Sequence, residues 1–267
     1  MKLFTIPNII TLLNLFCGCF AIVFAFELNF VWSFYFVAIA AVLDFFDGFL
    51  ARLLNQYSPI GKELDSLADM VTFGVVPGFV MFMMLLSNFG FHDVHPDYTY
   101  DGSILLKYPL ALIAFVIPLF SALRLAKFNI DTRQSDSFIG VPTPANAIFL
   151  CSLGLLFKKV NYLSGLPGDT GRFIGGSMNV LLAQILRNEW FLIGLTVIMS
   201  VLLISEIPLF ALKFKSFGWK GNEIRWSFLG LAVLLLVTLQ FVGIPLAIVL
   251  YILMSVVNNL VTKKVAR

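Results

Sequence analysis

Eight runs of apolar residues, each close to the length that a membrane crossing requires, dominate this sequence; they cover approximately residues 8–27, 30–53, 67–88, 104–126, 143–159, 189–211, 226–242 and 244–262. A transmembrane helix needs about 20 predominantly apolar residues. Of the 267 residues, 60% are hydrophobic and 12% are charged, whereas a soluble domain carries about 25% charged residues. The pattern therefore predicts an all-α, polytopic membrane protein with about eight transmembrane helices.

The two C-terminal runs are separated only by the short segment 243–245. The whole apolar stretch from Trp226 to Thr262 is about twice as long as one crossing requires. This length predicts a tight helical hairpin.

Lysine and arginine residues predict the orientation of the chain. If the N-terminus lies in the cytoplasm, 13 of these residues fall on the cytoplasmic side and 5 on the other side. An excess of lysine and arginine marks cytoplasmic loops, so both termini are predicted to be cytoplasmic. The loop 158–188 holds four of the five exceptions. The net charge of +3 is too small to indicate binding of nucleic acid.

Four aspartates stand at the ends of two consecutive predicted helices. Asp44 and Asp47 lie near the end of the second run, and Asp65 and Asp69 lie at the start of the third. Separations of three and four residues place each pair on one helix face, and the short connection 53–60 lets the two helices fold back antiparallel. Four carboxylates converging near lipid need compensation, which divalent cations usually provide. The pattern predicts a metal-dependent active site at the cytoplasmic membrane surface.

Small and basic residues surround the four aspartates. Gly48, Ala51 and Gly61 leave room for a bulky ligand to approach the backbone between the carboxylates. Arg52 is a fixed cation suited to phosphate oxygens. Two cations, Arg52 and Lys62, cannot neutralise the four aspartates and the neighbouring glutamate, which argues against a purely structural cluster.

These residues form an uninterrupted motif, Asp-x2-Asp-Gly-x2-Ala-Arg-x8-Gly-x3-Asp-x3-Asp, which begins at Asp44 and ends at Asp69. The motif resembles the signature of the CDP-alcohol phosphatidyltransferases. This resemblance implies a core of six membrane helices, usually a homodimer, whose active site opens to the cytoplasm. In this chain the core would comprise residues 1–211, and residues 212–267 would add the C-terminal transmembrane hairpin.

The same resemblance implies a reaction, in which a phosphatidyl group passes from a CDP-linked lipid to an alcohol hydroxyl and CMP is released. Two divalent cations, Mg²⁺ or Mn²⁺, would be held by Asp44, Asp47, Asp65 and Asp69. Asp69 matches the position of the general base. The positions that match contacts to the CDP-lipid are Asn8, Thr11, Gly48, Ala51, Arg52, Ser58 and Gly61.

A second group of polar residues follows the fourth apolar run, between Arg124 and Asn146. Its cations suit a carboxylate or a phosphate, and its oxygen acceptors suit an ammonium group. From the residues alone, serine and a phosphorylated alcohol are therefore both possible acceptors. The candidate contacts to the acceptor or its phosphate are Arg124, Lys127, Asn129 and Arg133.

Two segments, residues 6–18 and 124–145, are similar to the branch of the family that uses serine. The resemblance implies CDP-diacylglycerol and L-serine as substrates and phosphatidylserine as product. Two alternatives are a sister transferase acting on glycerol 3-phosphate or an inositol phosphate, and a divalent-cation transporter. A transporter should carry its carboxylates near the bilayer centre on broken helices or repeats, whereas these carboxylates stand at helix ends.

Glu206 is a further candidate, because it falls within the sixth apolar run. Ionisable residues inside a membrane are often functional. A helix kink at Pro208, with Glu206 near the interface, explains it equally well.

The predicted orientation can be tested by labelling from each side of the membrane. In a background without Cys17, Cys19 and Cys151, a cysteine replacing Tyr57 should react with an impermeant maleimide only from the cytoplasmic side. A cysteine replacing Tyr98 should react only from the opposite side, because its loop carries three aspartates and no lysine or arginine. Reversed labelling would place the aspartates on the wrong face and contradict the orientation.

Overall fold

The chain folds into a bundle of apolar helices with a short strand pair at one end. The computed structural model describes residues 3–89, 108–131, 137–164, 181–182, 184–210, 218–219 and 221–265. In chain order the elements are α1 (Ile6–Phe26), α2 (Phe30–Leu53), α3 (Pro59–Asp69), a π-helical segment (Met70–Val75), α4 (Val76–Asn88), a 3₁₀ turn (Pro109–Phe115), α5 (Val116–Ile130), β1 (Ser137–Ile139), α6 (Thr143–Ser164), α7 (Glu189–Ile204), β2 (Pro208–Phe210), α8 (Glu223–Leu239), a 3₁₀ turn (Gln240–Val242) and α9 (Gly243–Val265).

The predicted all-α, polytopic architecture is confirmed. Within the described ranges, five helical stretches are long and apolar enough to cross a membrane, and two shorter apolar stretches are Thr143–Lys158 of α6 and Glu189–Ile204, which is α7. The last of the five stretches, Glu223–Val261, contains α8 and most of α9. The number of crossings, about eight, stays a prediction.

The chain reverses between α8 and α9, as the hairpin prediction requires. Gln240 adopts a positive φ of 50° at the turn. Ile224, at the start of α8, lines the same groove as Val257 and Val261 near the end of α9, so the two helices run antiparallel. The division into a core of residues 1–211 and an added hairpin stays a prediction.

The stretch Pro59–Asn88 occupies the centre of the bundle. Within its most apolar part, 72% of the residues are buried, against 33% or less in the other four long stretches. Small residues bring neighbouring helices close to it, as is common among membrane helices. A Cβ added to Gly78 would lie 2.7 Å from Pro118 Cδ, and one added to Gly154 would lie 2.7 Å from Val80 Cγ1. This central, tightly packed stretch carries Asp65 and Asp69 at its N-terminal end.

Side-chain caps define where two of these helices begin. Thr5 caps α1 and accepts a hydrogen bond from the Asn8 amide. Ser58 caps α3 and accepts one from the Gly61 amide at 3.0 Å. Caps of this kind satisfy backbone donors that have no partner inside the helix. Both caps lie at the same end of the bundle, beside the aspartates.

Strands β1 and β2 pair antiparallel at the ends of α5 and α7, with Ser137 opposite Phe210 and Ile139 opposite Pro208. Gly140 follows β1 with φ +75°, and a Cβ added there would lie 2.5 Å from the Leu203 carbonyl oxygen. Only glycine combines this conformation with such a close approach. The pairing requires α5 and α7 to end on the same side of the bundle. The predicted orientation places the ends of these two helices on one side as well.

The sixth predicted run, residues 189–211, corresponds to α7, which is shorter because it ends at Ile204. Pro208 begins β2 and has no amide hydrogen with which to continue a helix. Glu206 therefore lies between a helix and a strand, its side chain is 61% exposed, and it forms an ion pair with Lys127. The interpretation of Pro208 as the site of a helix kink is wrong, because the helix has already ended at Ile204.

Candidate active site

The fold brings the four aspartates together. Carboxylate oxygens of Asp44, Asp47 and Asp65 all lie within 4.8 Å of one another. Asp44 also lies within hydrogen-bonding range of Asp69. The antiparallel packing of α2 and α3 thus produces one cluster from two sequence pairs.

This cluster is largely enclosed by protein. Asp47 is 6% exposed and Asp69 is 8% exposed. In the described part of the chain no lysine or arginine forms an ion pair with any of the four aspartates. One oxygen of Asp65, Oδ1, is buried without a hydrogen-bond partner among the described residues. Hard oxygen ligands with unmet charge are the donor set that Mg²⁺ and Mn²⁺ prefer, so these residues fit divalent cations.

Helix α1 supplies polar partners to two of the carboxylates. The Thr11 hydroxyl lies 2.6 Å from Asp47 Oδ2. The Asn14 side-chain amide donates to Asp69 Oδ1 at 3.4 Å. Both α1 residues are buried. Their hydrogen bonds stabilise the charged carboxylates and fix their orientation.

Asn14 is a site residue that the sequence motifs did not identify. The signal was nevertheless present, because Asn8, Thr11, Asn14 and Gly18 follow one another at separations of three and four residues. Residues at these separations share one helix face. A search for a polar and small face on the otherwise apolar first helix would have found it.

A cavity of about 240 Å³ opens beside the cluster, and Asp47 and Asp65 form part of its wall. Six of the seven residues expected to contact the CDP-lipid also line it: Asn8, Thr11, Gly48, Ala51, Ser58 and Gly61. The lining additionally includes Gln56, Tyr57 and Lys62, which the sequence analysis did not assign to this site. Gln56 and Tyr57 lie in the connection between α2 and α3, in the gap between the two halves of the motif, and Lys62 follows Gly61 on α3.

Two glycines of the motif contribute to this cavity in different ways. A Cβ added to Gly48 would meet nothing within 4 Å, so this glycine leaves open space. A Cβ added to Gly61 would lie 2.9 Å from Asn8 Oδ1 and 3.0 Å from Ser58 Oγ. Gly61 therefore permits close packing of α1 against the start of α3.

Arg52, the seventh expected contact, does not line the cavity. Its exposed side chain donates from Nε to the Gly48 carbonyl oxygen at 3.0 Å, within the same helix. Arg52 thus lies next to the cavity residue Gly48.

Three of the four candidate contacts to the acceptor alcohol, Arg124, Lys127 and Asn129, lie on α5. Arg124 is buried, and its guanidinium donates to the carbonyl oxygens of Val141 and Gly140. It also interacts electrostatically with Asp69. These contacts place Arg124 between the aspartate cluster and the strand pair.

The other acceptor candidates have different surroundings. Lys127 forms the ion pair with Glu206. The side-chain amide of Asn129 donates to Ser66 Oγ at 2.8 Å. The backbone carbonyl oxygen of Asn129 accepts a hydrogen bond from Lys62 Nζ at 3.0 Å. Asn129 therefore joins the end of α5 to α3, and Lys62 belongs to both the cavity and this junction. Arg133 lies outside the described residues.

The helix widens immediately after the cluster, because the π-helical segment begins at Met70, directly after Asp69. Such π segments are rare and frequently occur at functional sites. The hydroxyl of Thr72 in this segment donates to the Asn14 carbonyl oxygen at 3.3 Å. The same α1 residue that contacts Asp69 is therefore also bound to the π-helical segment.

Comparison with known proteins gives consistent matches. A family model described as CDP-alcohol phosphatidyltransferase matches residues 4–202. A CDP-diacylglycerol–serine O-phosphatidyltransferase of Helicobacter pylori strain J99 is 31% identical over 242 residues, covering 90% of this chain and 82% of the relative. The enzyme of that name from Bacillus subtilis is 34% identical over 163 residues, 61% of this chain and 82% of the relative.

An archaeal relative with the same name, from Methanocaldococcus jannaschii, is 35% identical over 150 residues, covering 56% of this chain and 60% of the relative. The family model spans every described residue of the aspartate cluster and its cavity. On these matches, the chain belongs to the CDP-alcohol phosphatidyltransferase family.

Proposed function

We propose that this chain transfers the phosphatidyl group of CDP-diacylglycerol to the hydroxyl of L-serine, producing phosphatidylserine and CMP. The observation that carries the proposal is that carboxylates of the aspartate cluster form one wall of the cavity lined by the expected CDP-lipid contacts. The choice of serine is supported by the names of the relatives from H. pylori, B. subtilis and M. jannaschii.

The reaction has a simple balance of bonds. The serine hydroxyl oxygen forms a bond to the phosphorus that carries diacylglycerol, and the bond from that phosphorus to the CMP oxygen breaks. The hydroxyl proton passes to a carboxylate, which we assign to Asp69. A neutral alcohol is a poor nucleophile, so a carboxylate within reach of its proton is required. The hydrogen bond from Asn14 holds Asp69 in one orientation for this role.

The four aspartates are the proposed ligands of two divalent cations, either Mg²⁺ or Mn²⁺. When bound, such cations supply the positive charge that stabilises a leaving phosphate. Thr11 orients Asp47 from the α1 side, so that α1 carries both a cavity wall and a support for the proposed metal ligands. The open space at Gly48 is where the pyrophosphate of the CDP-lipid would approach the backbone.

Arg124 is the proposed partner of the serine carboxylate. Its two hydrogen bonds to carbonyl oxygens use two of the five N–H donors of a guanidinium. Among the described residues the other donors make no hydrogen bond, and they can bind an anion. Lys127, Asn129 and Arg133 are the remaining proposed contacts to the acceptor or to a phosphate.

The proposal also covers the oligomeric state of the protein and its orientation in the membrane. The enzyme is proposed to be a homodimer in a bacterial-type cell membrane, with its active site and both termini in the cytoplasm. The predicted distribution of lysine and arginine supports this orientation. The strand pair supports it as well, because it joins β1, in a segment predicted to be cytoplasmic, to the predicted cytoplasmic end of the sixth apolar run.

Replacing a cluster aspartate should remove both activity and metal binding. Asp44→Asn and Asp65→Asn should each lower the rate of CMP release by about 100-fold or more, as loss of one preorganised electrostatic group typically does. Without divalent cations both variants should melt at a higher temperature than the wild type, since one of four repelling charges is gone. Mg²⁺ or Mn²⁺ should raise the melting temperature of the wild type far more than that of either variant.

The matched control is Glu27→Gln, which neutralises a carboxylate at the other end of α1 and should change none of these quantities. Full turnover by the wild type after exhaustive chelation would contradict metal assistance. Metal-dependent stabilisation without CMP release from any alcohol would instead favour cation binding or transport.

Filling the open space at Gly48 should block the lipid substrate without unfolding the protein. Gly48→Leu should raise the KM for CDP-diacylglycerol by about tenfold or more, which corresponds to about 1.4 kcal/mol of lost binding. Its melting temperature should stay near that of the wild type, because no atom beyond its chain neighbours and the nearby backbone of its own helix lies within 4 Å of the new Cβ. Gly194→Leu is the matched control, since its Cβ also meets nothing within 4 Å. An unchanged KM in Gly48→Leu would exclude this cavity as the substrate site.

Replacing Arg124 should weaken the binding of the acceptor alcohol more than the binding of the CDP-lipid. Arg124→Ala loses a charge-assisted hydrogen bond, worth about 1.5–3 kcal/mol, so the serine KM should rise by roughly 10- to 150-fold. The KM for CDP-diacylglycerol should change far less. Serine methyl ester and ethanolamine should be poor substrates of the wild type, and Arg124→Ala should discriminate less against them.

The same CMP-release assay distinguishes the alternative acceptors. Preference for glycerol 3-phosphate or an inositol phosphate over serine would replace the proposed function with that of a sister transferase. An effect of Arg124→Ala confined to the lipid KM would move Arg124 to the phosphate site.

A further inference from the structure

The C-terminal hairpin makes two hydrogen bonds to β2 through side chains of α9. The Tyr251 hydroxyl donates to the Phe210 carbonyl oxygen at 2.8 Å. The Asn259 side-chain amide donates to the Pro208 carbonyl oxygen at 2.6 Å. These four residues all lie beyond residue 202, where the family model ends. The hairpin and β2 are therefore outside the matched family region, and yet they bind each other specifically.

An aromatic cluster strengthens this junction. The ring of Phe210 in β2 packs edge-on against Tyr251 of α9, with centroids 4.9 Å apart, and against Phe228 of α8, with centroids 5.9 Å apart. Edge-to-face pairs at these distances are favourable beyond the area that they bury. Both helices of the hairpin thus hold β2.

Strand β2 in turn holds Gly140 and Val141, whose carbonyl oxygens accept hydrogen bonds from Arg124. A ribbon of two strands is marginally stable by itself, and here each strand has three residues. The pairing continues beyond the strands, because the Gly140 amide donates to the Ile207 carbonyl oxygen at 2.9 Å. The Val141 amide donates to the Leu202 carbonyl oxygen at 3.0 Å. The positions of Gly140 and Val141 therefore depend on the segment 202–210.

The carbonyl oxygens of Gly140 and Val141 are the ones to which Arg124 donates. A guanidinium is a planar, rigid fork, so two fixed acceptors on one edge determine where its other edge points. Arg124 also interacts with the charge of Asp69. A small displacement of the strand pair would therefore turn the guanidinium relative to the reacting groups.

We propose that the C-terminal hairpin sets the position of Arg124 through the strand pair, with Tyr251 and Asn259 as positioning residues for the acceptor alcohol. This inference rests on the proposed function, in which Arg124 binds the acceptor. Neither residue lines the cavity beside the aspartates. Their effect reaches the site through β2, then β1 with its Gly140–Val141 extension, and finally the guanidinium.

The test uses the purified full-length chain and measures CMP release with serine and CDP-diacylglycerol varied separately. Tyr251→Phe removes the hydroxyl and keeps the ring, and Asn259→Leu keeps the volume and removes the donor. Each should raise the serine KM by about 2- to 10-fold, the range that loss of one neutral hydrogen bond gives. The KM for CDP-diacylglycerol should stay within about twofold of the wild type.

Ser255→Ala is the matched control. Ser255 lies between the two positioning residues on the same face of α9, and its hydroxyl donates within the helix to the Tyr251 carbonyl oxygen. It makes no recorded hydrogen bond to β2. The serine KM of Ser255→Ala should equal that of the wild type.

A double-mutant cycle tests whether the effect passes through Arg124. Lysine cannot reproduce the two-pronged contact of Arg124, so Arg124→Lys disconnects the side chain from the strand pair. In that background Asn259→Leu should cause no further increase in the serine KM. Groups that act through one another give non-additive effects, whereas independent groups give additive ones.

Three results would overturn the inference. They are an equal increase of both KM values, an additive effect of Asn259→Leu in the Arg124→Lys background, and the same change in Ser255→Ala. If the wild type prefers another alcohol to serine, the proposed function fails on its own. The cycle is then measured on the KM of that alcohol, where the same three results decide the role of the hairpin.

Discussion

Mutual repulsion among four aspartate carboxylates is the main constraint that the rest of the structure has to satisfy. The carboxylates of Asp44, Asp47 and Asp65 meet within 4.8 Å, and the described part of the chain offers them no ion-paired cation. Rigid helices that force the carboxylates together, and a bound counter-charge that offsets their repulsion, stabilise such a cluster in its charged form. The buried central stretch Pro59–Asn88 provides the first condition. The proposed divalent cations provide the second.

The polar end of the bundle divides into two halves that meet at Asp69. On one side, α1 and the connection from α2 to α3 enclose the cavity proposed for CDP-diacylglycerol. On the other side, α5 and the strand pair carry the groups proposed for the acceptor. Lys62 and Asn129 connect the halves through a hydrogen bond. A phosphatidyltransferase must bring the hydroxyl of the acceptor to the phosphorus of the lipid donor. In this arrangement, different helices position the groups proposed for each substrate.

Sequence reasoning succeeded where chemistry and spacing coincide. The separations within the motif from Asp44 to Asp69 were sufficient to predict one cluster, because helical periodicity and a short connection leave few other arrangements. The same reasoning missed Asn14, since a single amide in an apolar helix has no motif of its own. It also extended the sixth predicted helix through Pro208, because an apolar run does not show where a helix ends and a strand begins.

The sequence by itself determined the all-helical membrane class, the hairpin turn and the residues of the cluster, because these depend on composition and on contacts close along the chain. Only the tertiary structure decided which groups support that cluster. The contact of Asn14 with Asp69 spans 55 positions, and that of Asn259 with Pro208 spans 51. Arg124 is held by carbonyl oxygens whose positions depend on β2. Such contacts follow from helix packing, which local periodicity does not specify.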